Sequence, residues 1–276
     1  MDNEEIMLVR CPRCGSMDAE SVEPIGIEFD RMKCAACGHS QICDSYQIKD
    51  EWNELVLADS VPREQWHLLP SVRFHYLWTA LGARGHGREA HLRLRAAHDE
   101  PHRAYHTARH IGACLRLFDH PEVKALATHA SEVEAALWFH DAVYDTHARD
   151  NEEQSARMVE ECLGGAGVAG EVVARIAAHI RGTRDHVASS VDGQLVIDVD
   201  LSILGESPEV FARFETEIRR EYSWVEEAAY LSGRAAVLCG FVTRPSIFGT
   251  PYFRERFEAQ AAKNVAESLR KLAATA

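Results

Sequence analysis

Residues 131–145, SEVEAALWFHDAVYD, decide the fold class of this 276-residue chain. Ser131 followed by Glu134 is a capping-box pattern, and the run VEAALWFH behind it has the composition of a buried helix. The spacing predicts that His140 and Asp141 lie well inside this helix. Trp138, Phe139, Val143 and Tyr144 then bury it and set the pair at the floor of a pocket. Neighbouring side chains leave a helix about 100° apart, which still lets two ligands clasp one ion against the helix shoulder. Asp145 follows one turn beyond Asp141 on nearly the same face, the place of a general base or of an acid for a leaving group.

Upstream, RAYHTARHIGACLRLF (103–118) places His106 and His110 one helical turn apart on one face, with Ile111, Cys114, Leu115 and Phe118 on the buried side. Downstream, QLVIDVDLSILG (194–205) reads as a turn into a short helix, since Leu201, Leu204 and the Gly205 stop suit a helical piece. Asp200 is the preferred ligand there because DLSIL continues as helix, and Asp198 is the alternative. His110, His140, Asp141 and Asp200 together make a mixed nitrogen and oxygen set for one divalent cation of the kind that activates water. Such a set accepts manganese, iron, magnesium, cobalt or zinc. His179 and His186, in AAHIRGTRDH, are further candidates for a second metal or a phosphate, and Arg103, Arg109 and Arg244 for phosphate contacts.

Lys plus Arg total 30 against 43 Asp plus Glu, a formal net charge of -13 that repels nucleic acid and acidic membranes over most of the surface. Residues 63–116 run the other way, with nine arginines, no lysine and four acids, so a phosphate-bearing substrate would be drawn there. The start MDNEEIMLVR is acidic where a secretory signal would be basic and then apolar, and no apolar run reaches membrane-span length. The expectation is a cytoplasmic protein without membrane contact.

Near the N-terminus, CPRCG and CAACG supply Cys11, Cys14, Cys34 and Cys37 as two CxxC pairs. Each pair turns two thiolates toward one point, and the following glycine suits the turn. With the β-prone stretches GIEFDRMK and HSQICDSYQI, the doubled motif resembles a zinc ribbon holding a structural zinc on those four cysteines. A redox CxxC would come singly, in a thioredoxin-like context that is absent. Residues 1–50 carry five basic and ten acidic side chains, which points to a structural or protein-contact role and away from nucleic acid. Cys114 and Cys239 read as core residues.

Together YHTARHI, ALWFHDAVYD, NEEQSA, DVDLSILG and GRAAVLCGFVTRPSIFGT resemble the HD superfamily of metal-dependent phosphohydrolases, and more narrowly a family of predicted bacterial members, over about residues 105–264. The resemblance implies an all-helical domain with one or two divalent ions between helices. The run YHTxxH is similar to the cyclic-nucleotide phosphodiesterase pattern, which implies His106 as general acid and His110 as ligand. HDAVYD resembles the HDxxED of alarmone hydrolases, with Asp145 at the final acid and Tyr144 in place of the glutamate. The expected fold is thus mostly α, an HD helical bundle over residues 61–276 preceded by a small β zinc ribbon with linker over 1–60. The expected function is metal-dependent hydrolysis of a phosphate ester or anhydride of a nucleotide or related small molecule. Its rival is a non-catalytic HD protein that senses a nucleotide or holds a partner, with the ribbon as contact module.

Overall fold

The computed structural model describes the backbone of three strands between residues 19 and 44 and of residues 70–275 apart from residue 86, with side chains over 73–274 apart from 86. The chain divides into two compact units, residues 1–78 with 86–88 and residues 79–85 with 89–276. In the first, β1 (Ala19–Pro24), β2 (Phe29–Cys34) and β3 (Ser40–Asp44) pair antiparallel in the order β1-β2-β3. The pairing sets Ala19 opposite Cys34 and Lys33 opposite Ser40.

The expected fold class is corrected here. Among the described residues no zinc-ribbon module is seen, and from Pro70 onward they are helical with no strand. Cys11, Cys14 and Cys37 lie outside the described residues, and Cys34 is described only as backbone at the end of β2. The physical reason is that CxxC spacing promises a turn and a pair of ligands, whereas strands pair through backbone groups that need no metal.

The helical elements are α1 (Pro70–Ala80), α2 (Arg88–His98), α3 (Ala108–Phe118), α4 (Ala130–Phe139), α5 (Asn151–Gly165), α6 (Gly170–Thr183) and α7 (Val191–Asp200). A 3₁₀ turn over Leu201–Gly205 leads to α8 (Pro208–Glu221) and α9 (Glu227–Val242). A π segment over Arg254–Glu258 opens into α10 (Ala259–Thr275). Among the described residues no helix is long and apolar enough to cross a membrane.

Two helices form the centre. Val133, Ala135, Ala136, Leu137 and Phe139 bury nearly all of α4, and Leu195, Val196, Ile197 and Val199 do the same for α7. A helix apolar on every side has no solvent face, so it is surrounded by others. Helices α3, α6 and α7 pack on α4, while α3 and α6 also pack on α7. The start of α4 differs from the expected Ser131 box. The helix begins at Ala130, and Asp192 in the first turn of α7 accepts the backbone N–H groups of Thr128 and His129 at 2.7 and 2.9 Å. A distant carboxylate therefore serves the orphan donors that a local cap would have served. Ser207 and Pro208 do open α8 as the sequence suggests, with Ser207 Oγ accepting the Val210 N–H. Cys114 is buried as expected, but Cys239 is exposed on α9.

Asp198 is fully buried within α7 and accepts the N–H groups of Gly249 and Thr250, both at 2.7 Å. It thus fastens the segment before α10 to the central helix. Gly205 ends the 3₁₀ turn where the π segment crosses it, and a Cβ there would stand 2.6 Å from Phe257 Cβ and 2.8 Å from the Phe257 carbonyl oxygen. Backbone cannot step aside as a flexible side chain can. Gly205→Ala is expected to destabilise the fold by about 1–3 kcal/mol. The check is a lower urea midpoint with unchanged slope.

Candidate metal centre

The C-terminal ends of α4 and α7 carry three of the four expected ligands. His140 is the residue that caps α4, Asp141 follows it, and Asp200 is the last residue of α7. Helix C-termini bear partial negative charge from unpaired carbonyls, so two of them together favour a cation. His110, in the first turn of α3, completes the group.

The four side chains converge. His140 Nε2 lies 3.1 Å from Asp141 Oδ2 and 3.4 Å from Asp200 Oδ1. His110 Nε2 lies 3.5 and 3.2 Å from the same two oxygens and 3.2 Å from His140 Nε2. Ligands at about 2.1 Å from one ion stand about 3.0 Å apart at right angles and about 3.4 Å apart in a tetrahedron. The observed spacings are compatible with atoms that could share a cation. All four donor atoms lie within 4.8 Å of one another, and no other such group of three or more occurs among the described residues.

The donor set fits a divalent ion chemically as well. His140 Nδ1–H donates to the Leu137 carbonyl at 3.0 Å, which fixes the tautomer and leaves Nε2 as the free lone pair of the neutral ring. Burial works against ionisation of Asp141 and Asp200, but the imidazoles overcome it and hold both carboxyls well below their usual range. Burial also lowers the His140 pKa, and the Asp141 and Asp200 carboxylates more than reverse this, raising it well above the usual value. Such a field calls for positive charge at the point where the donors meet.

His106 stands beside this group, its ring 6.0 Å from that of His110 and stacked on Tyr144 at 4.0 Å. Its Nδ1–H donates to Glu221 Oε2 at 2.7 Å, and the Tyr144 hydroxyl donates to the same oxygen at 2.9 Å. Glu221 Oε1 accepts the backbone N–H groups of Ala104, Tyr105 and His106 at 2.7, 2.7 and 3.0 Å. These bonds and the His106 ring outweigh burial and bring the Glu221 pKa down to about 2. Arg103 is buried too, donating to the carbonyls of His106, Asp141 and Ala142 at 3.1, 2.6 and 3.2 Å. The loop carrying His106 is therefore tied to the segment carrying Asp141.

Several expectations need correction. Helix α4 stops at Phe139, so His140 and Asp141 sit at its end and not within it. Asp145 then falls on an exposed turn, where its Oδ1 accepts the His147 N–H at 2.8 Å; it does not share a helical face with Asp141 and stands outside the metal group. Between the two aspartates, Asp200 joins the cluster and Asp198 holds backbone. His179 lies elsewhere, buried on α6 against Gly193, in the field of Asp192 and Glu132. His186 is close enough for Asp200 and Asp141 to act on its ring, although burial dominates and lowers its pKa. The three arginines singled out are already engaged. Arg103 clamps carbonyls, Arg109 pairs with Glu217 at 2.7 Å, and Arg244 donates to the carbonyl of Asp185 at 2.9 Å. Glu221 gave no sequence signal, since its partners lie 77 to 117 residues away.

Behind the cluster, burial pushes the His98 pKa from 6.5 down to about 4, with Arg103 assisting and Asp141 opposing. The unfolded chain binds this proton near pH 6.5 and the folded chain only near pH 4. His98 therefore favours the fold fully above about pH 6.5, and about 3 kcal/mol of that is lost as the pH falls to about 4. His98→Leu should flatten the urea midpoint against pH in this window, and an unchanged slope would disprove the assignment.

No protein-family model, curated protein or solved structure matches the chain. Its own geometry defines a helical protein with a His/Asp group that could bind a metal, an arrangement compatible with an HD domain.

Proposed function

We propose that the protein is a metal-dependent phosphohydrolase of the HD type, acting on a phosphate ester or anhydride of a nucleotide or related small molecule. The observation that carries this reading is the convergence of His110, His140, Asp141 and Asp200 at ligand spacing beside the His106–Glu221 pair. Those four residues would hold a divalent cation, which when bound supplies Lewis-acid polarisation of a phosphoryl oxygen and acidifies water. Glu221 orients His106 through Nδ1, so Nε2 is the atom left to give a proton to a leaving oxygen. Arg103 and Glu221 hold the two loops so that His106 and Asp141 keep their relation.

The test is phosphate release from a panel of nucleotides and phosphate monoesters with manganese, iron, magnesium, cobalt or zinc added in turn. Release that needs one of these metals is the expected result. Stoichiometric nucleotide binding with no release under any metal would favour the non-catalytic alternative.

A further inference from the structure

A cavity of about 500 Å³ reaches His110 and Asp200 of the metal group and is lined by residues of α3 and α8. The two helices run antiparallel, since Glu221 meets His106 and Glu217 meets Arg109, so residue numbers rise along one wall and fall along the other. His110 and Asp200 form one end of the cavity. Apolar side chains, Leu117, Ile203 and Val210 among them, also line it. Arg116 and Arg213, one from each helix, complete the walls.

The charges along this cavity are not equivalent. Arg109 is neutralised by Glu217, whereas Arg116 and Arg213 have no hydrogen bond or ion pair among the described residues, and both are exposed. Glu206 is the one carboxylate in the lining, apart from Asp200 and Glu217, that could offset them. Arg116 follows His110 by six residues, about 9 Å along the α3 axis at about 1.5 Å per residue. Two guanidiniums without a partner among the described residues thus line the cavity, Arg116 about 9 Å from His110 along the helix axis, with apolar side chains beside them.

We infer that the cavity selects phosphate compounds bearing a second anionic group, bound by Arg116 and Arg213 while the first phosphate meets His110, His140, Asp141 and Asp200. This rests on the phosphohydrolase reading of the metal group and adds the substrate class. Guanidinium forks bind phosphate or carboxylate in paired hydrogen bonds, so either can be the distal group, and the apolar walls suit the scaffold joining the two ends. Arg116 and Arg213 are specificity-determining residues in this scheme.

The probes are alkanediol bisphosphates of increasing chain length, the matching alkyl monophosphates and the matching ω-carboxyalkyl phosphates, bound to the full-length protein with manganese and followed by calorimetry. The bisphosphate is expected to bind at least about fivefold tighter than its monophosphate at the chain length that bridges the cavity. An equal gain from the carboxylates identifies a general anion site, and a gain from bisphosphates alone identifies a phosphate site. In R116Q/R213Q the ratio should fall to near one, while the R116K/R213K protein should keep part of it. A ratio near one in the wild type, or a full ratio in R116Q/R213Q, overturns the inference. Phosphate release from the same compounds is read separately. Selective binding without release would remove the hydrolase reading and leave the anion site standing, whereas release without selectivity would do the reverse.

Discussion

Asp141→Ala protein is expected to lose its divalent cation and at least about a thousandfold in phosphate release while remaining folded. Asp141 Oδ2 lies 3.1 Å from His140 Nε2 and 3.5 Å from His110 Nε2, so its loss removes an anionic donor and opens the cluster on one side. Changes that merely disturb a ligand's support cost about 10–100-fold in metal affinity, and removal of a charged ligand should exceed that. Folding should survive because Asp141 follows the end of α4, outside the packed helix, and because without a cation the two carboxylates oppose one another. Thermal unfolding makes the separation. Added metal should raise the melting temperature of the wild type by mass action, since the four ligands come from three helical segments and meet only in the folded chain. The variant should not respond. A variant that kept both its metal response and its activity would remove this site from the proposed chemistry.

Glu221 should give the second large effect, and two substitutions separate its tasks. Glu221→Ala leaves three backbone N–H groups, the His106 ring and the Tyr144 hydroxyl without their acceptor in a buried place, and should destabilise the fold by about 3–5 kcal/mol. Glu221→Gln keeps one acceptor oxygen for the loop but can turn an amide N–H toward His106 Nδ1, where the native bond needs an acceptor. That variant should bind metal as the wild type does, yet lose about 10²–10³ in kcat with little change in KM. A purely structural role would be restored by glutamine, so full activity in Glu221→Gln would refute the positioning of His106.

The helical body and the pair His140 and Asp141 were legible because a long apolar run with adjacent ligands is a local pattern, and α4 folds as such a run requires. Its end was not legible. No glycine or proline follows Phe139, and the chain leaves the helix where Arg103 claims the carbonyls of Asp141 and Ala142. That early exit is also why Asp145 falls away from the cluster. Asp198 and Asp200 are chemically alike in sequence, and only the approach of Gly249 and Thr250 to one of them separates their roles. The arginines show the same limit in another form. Arg103, Arg109 and Arg244 stood out by their neighbours in sequence, but freedom from a partner belongs to the folded chain, and among the described residues Arg116 and Arg213 have no partner.

His186 lies at φ 52, the one described residue other than glycine with a positive φ. L-residues other than glycine adopt this left-handed region at a cost of about 1–2 kcal/mol. Glycine at 186 would therefore give a sturdier chain, while an imidazole in the field of Asp141 and Asp200 would be lost. The backbone and the site thus make opposite demands on residue 186, and a screen for thermal stability alone would select against a side chain that lies in the field of Asp141 and Asp200.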